Sequence, residues 1–341
     1  MNKLIFLILV ITQIGLKAQF TESIIGTEKF INNTVLVVTN RLSDSTLSTK
    51  NPIFINRVDT INPLICYKVS YHDSAYFMEK VDFEDYIINN SSGLSDWLLF
   101  VHGDGKTFIH AAARGLDIQN YHKINVIVFA WPSREVGKYG SKQFKNSLIN
   151  SKNSQKHFIE IIEKIDRVKN NNQEYFSNQR FSALFHSLGN SLLELYATNL
   201  NNSTFNKIVF DNLILSAAAV NEKGHKEWIE KIHLQKHIIN NSNMFDRNLN
   251  GLRIISKYKF LLGERLSMPL SDSVTYFNFS NSVGGKWPPG RSHTFFVGEI
   301  PDNSKNINDF FNDIFHGIMP DLGNSMYLKK RNDGYGYDVL K

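Results

Sequence analysis

Ser187 stands in the run Phe181-Ser182-Ala183-Leu184-Phe185-His186-Ser187-Leu188-Gly189-Asn190-Ser191-Leu192-Leu193. An apolar stretch leads into a serine flanked by His and Gly, and a helical pattern starts at once behind it. A strand, a tight turn carrying the serine and a helix would push the hydroxyl out of the backbone envelope. They would also aim unbonded N–H groups of the helix start at a developing negative charge. That is an arrangement for acyl transfer through a serine nucleophile. The usual turn is G-x-S-x-G. Gly189 meets the requirement after the serine; Phe185 breaks the one before it and calls for an opened turn or a rearranged neighbour. The plain alternative is that Ser187 only caps a helix.

Such chemistry needs a base to hold the nucleophile, an acid to orient the base and two N–H donors for the oxyanion. Where the serine sits on a turn of this kind, the chain order is serine, acid, histidine. Asp246, in Ile238-Ile239-Asn240-Asn241-Ser242-Asn243-Met244-Phe245-Asp246-Arg247, is the single carboxylate between Glu230 and Glu264. It reads as the acid on a loop after a strand, against the alternative of a loop aspartate capping the next turn. Only His293 and His316 follow it. His293 comes after a loop rich in Gly and Pro (residues 284–292) and just ahead of Thr294-Phe295-Phe296, which suits a base delivered by a loop. His316 lies in the amphipathic stretch Phe310 to Met319 and reads as a surface or satisfied histidine. Leu188 N–H is the first oxyanion donor; the second is assigned to Asp104, in the turn after the Trp97 strand. His102 reads as structural. His186 reads as a poor base, because neighbours at a sharp turn point apart.

The elements that must position these residues alternate. Trp97-Leu98-Leu99-Phe100-Val101 is a continuous apolar run, as in a strand buried on both faces, and His102-Gly103-Asp104-Gly105 follows as a turn. Phe108 to Leu116 reads as helix and Ile124 to Phe129 as strand. Gln155 to Val168 carries Phe158, Ile161, Ile162 and Ile165 at helical spacing. Ile208 to Leu215 and a segment around His237 to Asn240 read as further strands. This alternation predicts a mostly parallel, doubly wound α/β sheet with helices on both faces. Ligands in such sheets bind beyond the carboxyl ends of the strands, and His102, Ser187 and the loop after Asn240 all fall at that edge. Residues 20–90 hold shorter β-like runs (Thr34 to Thr39, Ile53 to Ile55, Leu64 to Val69). The expected organisation is a leader over 1–18, a β-rich lead-in to the sheet over 19–90, the α/β core over 91–300 and a C-terminal helical segment over 301–341.

The chain has 341 residues, 42% hydrophobic and 21% charged, with a formal net charge of +6. That is ordinary for a globular protein with one large core. The charge is spread out and basic–aromatic interleaving is confined to Lys257-Tyr258-Lys259-Phe260, so nucleic-acid binding is set aside. Met1-Asn2-Lys3 followed by the apolar run Leu4 to Leu16 is too short to span a bilayer and suits an export signal cleaved after Ala18. The alternative is an uncleaved anchor, with peripheral membrane contact. The single cysteine, Cys66, excludes an internal disulfide. His233-Leu234-Gln235-Lys236-His237 lacks the glutamate of the metalloprotease helix motif. Asp309 and Asp313 read as a solvated helix surface. No metal and no cofactor is expected.

Taken together the motifs resemble a family of uncharacterised bacterial α/β-hydrolases with lipase-like architecture. Its members carry a strand ending in TNR, then F-V-H-G-Y-N, F-S-W-P-S and A-H-S-M-G-N motifs. This chain has Val38-Thr39-Asn40-Arg41, Phe100-Val101-His102-Gly103-Asp104, Phe129-Ala130-Trp131-Pro132-Ser133 and His186-Ser187-Leu188-Gly189-Asn190 in the same order. Asn243-Met244-Phe245-Asp246-Arg247 is similar to the family's N-x-x-D-R acid loop, and His293-Thr294-Phe295-Phe296 to its late H-[ST]-[YF]-[FY]. The resemblance covers roughly residues 34–296. It implies the α/β-hydrolase fold and a triad of Ser187, Asp246 and His293, and little about substrate. Two departures stand out: Phe185 in place of a small residue, and Asp104-Gly105 in place of bulkier turn residues. An aspartate side chain beside an oxyanion would repel it, so only its N–H can serve. The expectation is an exported serine hydrolase acting on a small-molecule or lipid ester, with oligomeric state open. The alternative is a degenerate hydrolase fold that binds a ligand without turnover.

Overall fold

The computed structural model describes residues 34–44, 53–91, 96–134, 139–199, 207–256 and 258–341. The expected leader over 1–18 lies outside them. The strands are β1 (Thr34–Thr39), β2 (Arg41–Asp44), β3 (Ile53–Val58), β4 (Ile65–His72), β5 (Ala75–Lys80), β6 (Trp97–Val101), β7 (Asn125–Phe129), β8 (Phe181–His186), β9 (Phe210–Ser216), β10 (Gln235–Ser242), β11 (Val274–Asn278), β12 (Leu328–Lys330) and β13 (Tyr337–Val339). Among the described residues, eleven of them form one sheet in the order β12-β13-β11-β10-β9-β8-β6-β7-β1-β4-β5. From β13 through β1 every neighbouring pair is parallel. β12, β4 and β5 join antiparallel at the two ends.

The central strands are apolar without alternation because both faces are covered. Successive side chains point to opposite sides. Leu99, Val101, Ile127, Phe129, Ala183, Phe185, Leu213 and Leu215 belong to one core layer, which takes Phe158, Ile161, Ile162 and Ile165 from helix Gln155–Asn171 and Leu192, Leu193 and Tyr196 from helix Asn190–Thr198. Leu98, Phe100, Val126, Val128, Leu184 and Ile214 belong to the other, filled by Ala111, Ala112 and Leu116 of helix Phe108–His122 and by Phe310, Phe311 and Phe315 of helix Lys305–Phe315. This is the doubly wound α/β architecture expected from the alternating segments.

The elements differ from expectation in places. Ile53-Phe54-Ile55 lies in β3, which pairs with β2 in a separate hairpin. β1 is interior, between β7 and β4. Beyond residue 301 the chain is not only helical: after helix Lys305–Phe315 the short strands β12 and β13 extend the sheet past β11.

The strand order sets where a site can form. From β6 the chain steps outward to β7, then returns to the other side of β6 as β8 and continues to β9, β10 and β11. The reversal leaves a crevice at the carboxyl ends of β6 and β8. The turn after Val101 and the turn after His186 both open there.

Candidate active site

β8 ends at His186 in extended conformation (φ −105°, ψ 132°). The next residue, Ser187, has φ +54°, the left-handed region that an L side chain enters at a cost on the order of 1–3 kcal/mol. One 3₁₀ turn, Ser187–Gly189, leads into helix Asn190–Thr198. Local bonds hold the strained residue: Asn190 Nδ2 donates to Phe185 O and Ser187 O, both at 2.9 Å, and Ala219 N donates to Ser187 O at 3.1 Å. Two glycines make room. A Cβ on Gly189 would lie 2.5 Å from Val101 O, and one on Gly103 would lie 2.6 Å from Ser187 Cβ. The serine thus sits directly over the turn that follows β6.

Phe185 is compatible with this turn. By strand alternation it faces away from His186 into the first core layer. Its ring meets Phe158 edge-on at 5.6 Å and 84°. The side chain is 1% exposed.

Asp246 and His293 come into direct contact. The side chains are almost wholly buried, and Asp246 Oδ2 accepts from His293 Nδ1 at 2.6 Å. Asp246 Oδ1 accepts from Asn248 N at 2.9 Å and Leu249 N at 3.1 Å, capping helix Arg247–Ser256. One oxygen of Asp246 thus contacts His293 and the other caps the helix. The bond to Nδ1 turns that ring nitrogen to the carboxylate and leaves Nε2 as the nitrogen not engaged by Asp246. The loop before His293 is fastened by Gly290 N donating to Asn248 Oδ1 (2.9 Å) and Asn243 Nδ2 donating to Ser292 O (3.3 Å). Phe295 and Phe296 anchor its far side in the core. The His293 ring lies 4.6 Å, between centroids, from that of His186, the residue that precedes Ser187.

Leu188 N–H lies in the first turn after Ser187, where backbone donors lack intrahelical acceptors. The Asp104 carboxylate is held by Gly105 N (2.8 Å), Ser147 Oγ (2.5 Å) and Gln143 Nε2 (3.1 Å). Burial pushes its pKa above the usual carboxylate range, against the pull of the bonds from Ser147 and Gln143. Two of its three donors come from helix Gly140–Asn153, so the side chain is turned toward that helix. Sequence reasoning missed Ser147 and Gln143.

His102 is fully buried, with Nδ1 donating to Gly103 O at 2.8 Å and its ring stacked on Trp131 at 5.5 Å. Burial, with Arg41 nearby, pushes it down to about 3, so it stays neutral and frames the turn. Arg41 is a third residue to which the sequence assigns no role. Its guanidinium is buried and donates to Ala130 O (3.0 Å), Trp131 O (2.5 Å), Lys106 O (2.8 Å) and Asn56 Oδ1 (2.6 Å). Trp131 Nε1 in turn donates to His102 O at 2.8 Å. His237 lies exposed on β10 and His233 is exposed ahead of it; among the described residues no group of three or more His, Cys, Asp or Glu is arranged around a metal position.

A family comparison agrees with this architecture. Residues 79–263 match the family described as alpha/beta hydrolase of unknown function (DUF900); the match includes Asp104, Ser187 and Asp246 and stops short of His293. No curated protein matches the chain. A solved esterase structure from Pyrobaculum calidifontis, in a monoclinic crystal form, aligns over 79% of this chain and 72% of its own at a TM-score of 0.34 and 11% identity. With more than half its length matched by the family, and with a mostly parallel sheet covered by helices on both faces, the chain belongs to the DUF900 family of alpha/beta hydrolases.

Proposed function

We propose that this hydrolase is a serine esterase with Ser187, His293 and Asp246 as its triad, acting outside the cytoplasm on a small-molecule or lipid ester. The observation that carries the reading is the 2.6 Å contact between His293 Nδ1 and a wholly buried Asp246, with the His293 ring against His186, the neighbour of a serine in strained left-handed backbone. In the first half-reaction Ser187 Oγ attacks the ester carbonyl carbon while His293 Nε2 takes its proton. Asp246 stabilises the resulting imidazolium without accepting the proton. The carbonyl oxygen becomes an oxyanion facing the N–H groups of Leu188 and Asp104. Collapse breaks the C–O bond, and His293 returns the proton to the leaving alkoxide. Water then attacks the acyl-enzyme by the same route and frees the acid and Ser187. The export signal expected at the N-terminus supports the location.

A fluorophosphonate probe tests the reading. Labelling of the wild type that disappears in Ser187→Ala is the expected result, with turnover of at least one member of a p-nitrophenyl ester series. A folded wild type that neither labels nor turns over any ester of the series would instead make this a binding protein on a hydrolase fold.

A further inference from the structure

His186 takes no part in the steps above, yet it is tied more closely to the base than any other imidazole. Its Nε2 lies 3.0 Å from the carbonyl oxygen of His293. A carbonyl only accepts, so Nε2 carries the ring proton and donates it. Burial, with His293 alongside, holds this imidazole well below its ordinary range, so the donor tautomer persists and the ring stays uncharged. The ring lies tilted against His293 (4.6 Å, 57°) and edge-on to Phe296 (5.3 Å, 77°). A second buried imidazole holds the other end of the same segment: His122 Nε2 bonds Phe296 O at 2.7 Å.

An apolar ring in place of His186 would fill the same volume and desolvate no polar nitrogen. What histidine adds is one directed bond to the backbone of His293. Asp246 fixes how the base is turned, because it grips Nδ1. It does not fix how far the base stands from the nucleophile, because it belongs to a different loop. His186 is joined to Ser187 by a single peptide. Its bond to the His293 carbonyl therefore references the base to the nucleophile by a path one residue long.

We propose that His186 is a positioning residue for His293: by donating to the His293 carbonyl it sets the reach of the base to Ser187. The proposal rests on the reading of His293 as the base. It is tested in the full-length protein with His186→Phe, which keeps a ring but lacks the donor, and His186→Gln, which restores an N–H of comparable reach. Two readouts are used: kcat and KM for p-nitrophenyl acetate, and the far-downfield proton resonance of the His293–Asp246 hydrogen bond. The Phe variant is expected to lose about 10²-fold in kcat, the scale of a misplacement near 1 Å, with KM nearly unchanged. Its downfield resonance should shift or broaden, and the Gln variant should recover most of both losses. If His186→Phe does not fold, His186→Leu makes the same comparison. Wild-type kcat and resonance in the donor-less variant would overturn the proposal. So would equal loss in the Gln and Phe variants accompanied by equal loss of Tm, which would mark simple packing. Should the wild type show neither turnover nor fluorophosphonate labelling, the esterase reading fails, while the resonance still decides whether His186 positions His293.

Discussion

His293 and Asp246 are joined through one carboxylate oxygen only, at 2.6 Å, while the other oxygen of Asp246 caps the helix that follows. The two tasks can be separated by substitution. Asp246→Asn keeps an oxygen for the cap but presents either a donor or a weaker acceptor to His293 Nδ1. Activity is expected to fall about 10⁴-fold, as when the orienting acid of a triad becomes an amide, with Tm almost unchanged. Asp246→Ala removes the cap as well and should cost roughly 1 kcal/mol further in stability. Steady-state kinetics and urea unfolding of both variants check this; an Asn variant with most of its activity intact would remove Asp246 from the catalytic group.

Phe185 is the departure from G-x-S-x-G that sequence alone leaves hardest to interpret, and its position in the first core layer predicts what replacement does. Phe185→Ala removes a ring packed against Phe158 and should destabilise the protein by about 3–5 kcal/mol. It should not raise esterase activity, because the side chain points away from the catalytic edge. A variant that becomes more active at unchanged stability would show that Phe185 obstructs the site.

Gly103 faces the nucleophile closely enough that even one methyl group must displace it. Gly103→Ala is expected to abolish fluorophosphonate labelling, since the new carbon would lie 2.6 Å from Ser187 Cβ and 3.1 Å from its Oγ. The loss of stability should be smaller, on the order of 1–3 kcal/mol. Labelling at the wild-type rate would mean that Ser187 can move aside without consequence.

A second Asp–His pair predicts a pH dependence of folding rather than of catalysis. His316 Nδ1 lies 2.7 Å from Asp96 Oδ2, and His316 Nε2 donates to His122 O at 2.9 Å. Burial alone would lower His316, but its bonds to Asp96 and His122 lift it above its ordinary value of 6.5. Burial alone would raise Asp96, but the bonds from His316 and Arg180 N bring it below 3.8. The histidine's contribution is full below the unfolded value near 6.5 and is lost as pH rises through its raised folded value. The aspartate's contribution is full above about 3.8 and is lost as pH falls through its lowered folded value. The Tm advantage of wild type over Asp96→Asn should therefore be greatest between about pH 4 and pH 6.5 and shrink above neutrality. Thermal melts of both proteins across that range check it; a constant difference would show that the pair carries no protonation-linked stability.

Much of this architecture is legible in the chain because buried parallel strands are written as uninterrupted apolar runs. Trp97 to Val101 and Phe181 to Phe185 declare themselves, and the order of Ser187, Asp246 and His293 follows from which carboxylate and which histidines remain downstream. Helix Gly140–Asn153 is hidden for the opposite reason. Its buried residues include Gln143, Ser147, Asn150 and Ser151, which are satisfied by hydrogen bonds and leave no apolar period to detect. That helix supplies two of the donors that hold the Asp104 carboxylate, so where this side chain turns could not be read without it. β12 and β13 are three residues each and carry too little pattern to distinguish from loop. The cap and acid readings of Asp246 could be weighed against each other, but not that one side chain both caps a helix and contacts His293.

Arg41 lies far outside residues 79–263, the stretch matched by the hydrolase family. Its guanidinium nevertheless grips the backbone oxygens of Lys106 and Trp131, inside that stretch, together with the hairpin residue Asn56. The first strands are therefore a keystone of the loops around His102 and Trp131 and no dispensable prelude to them. A fragment cut to the matched stretch would keep Ser187 and Asp104 but lose the cation that locks the loops beside them, and β7 would lose its neighbour β1. A unit that keeps these bonds begins no later than the strand that leads into Arg41.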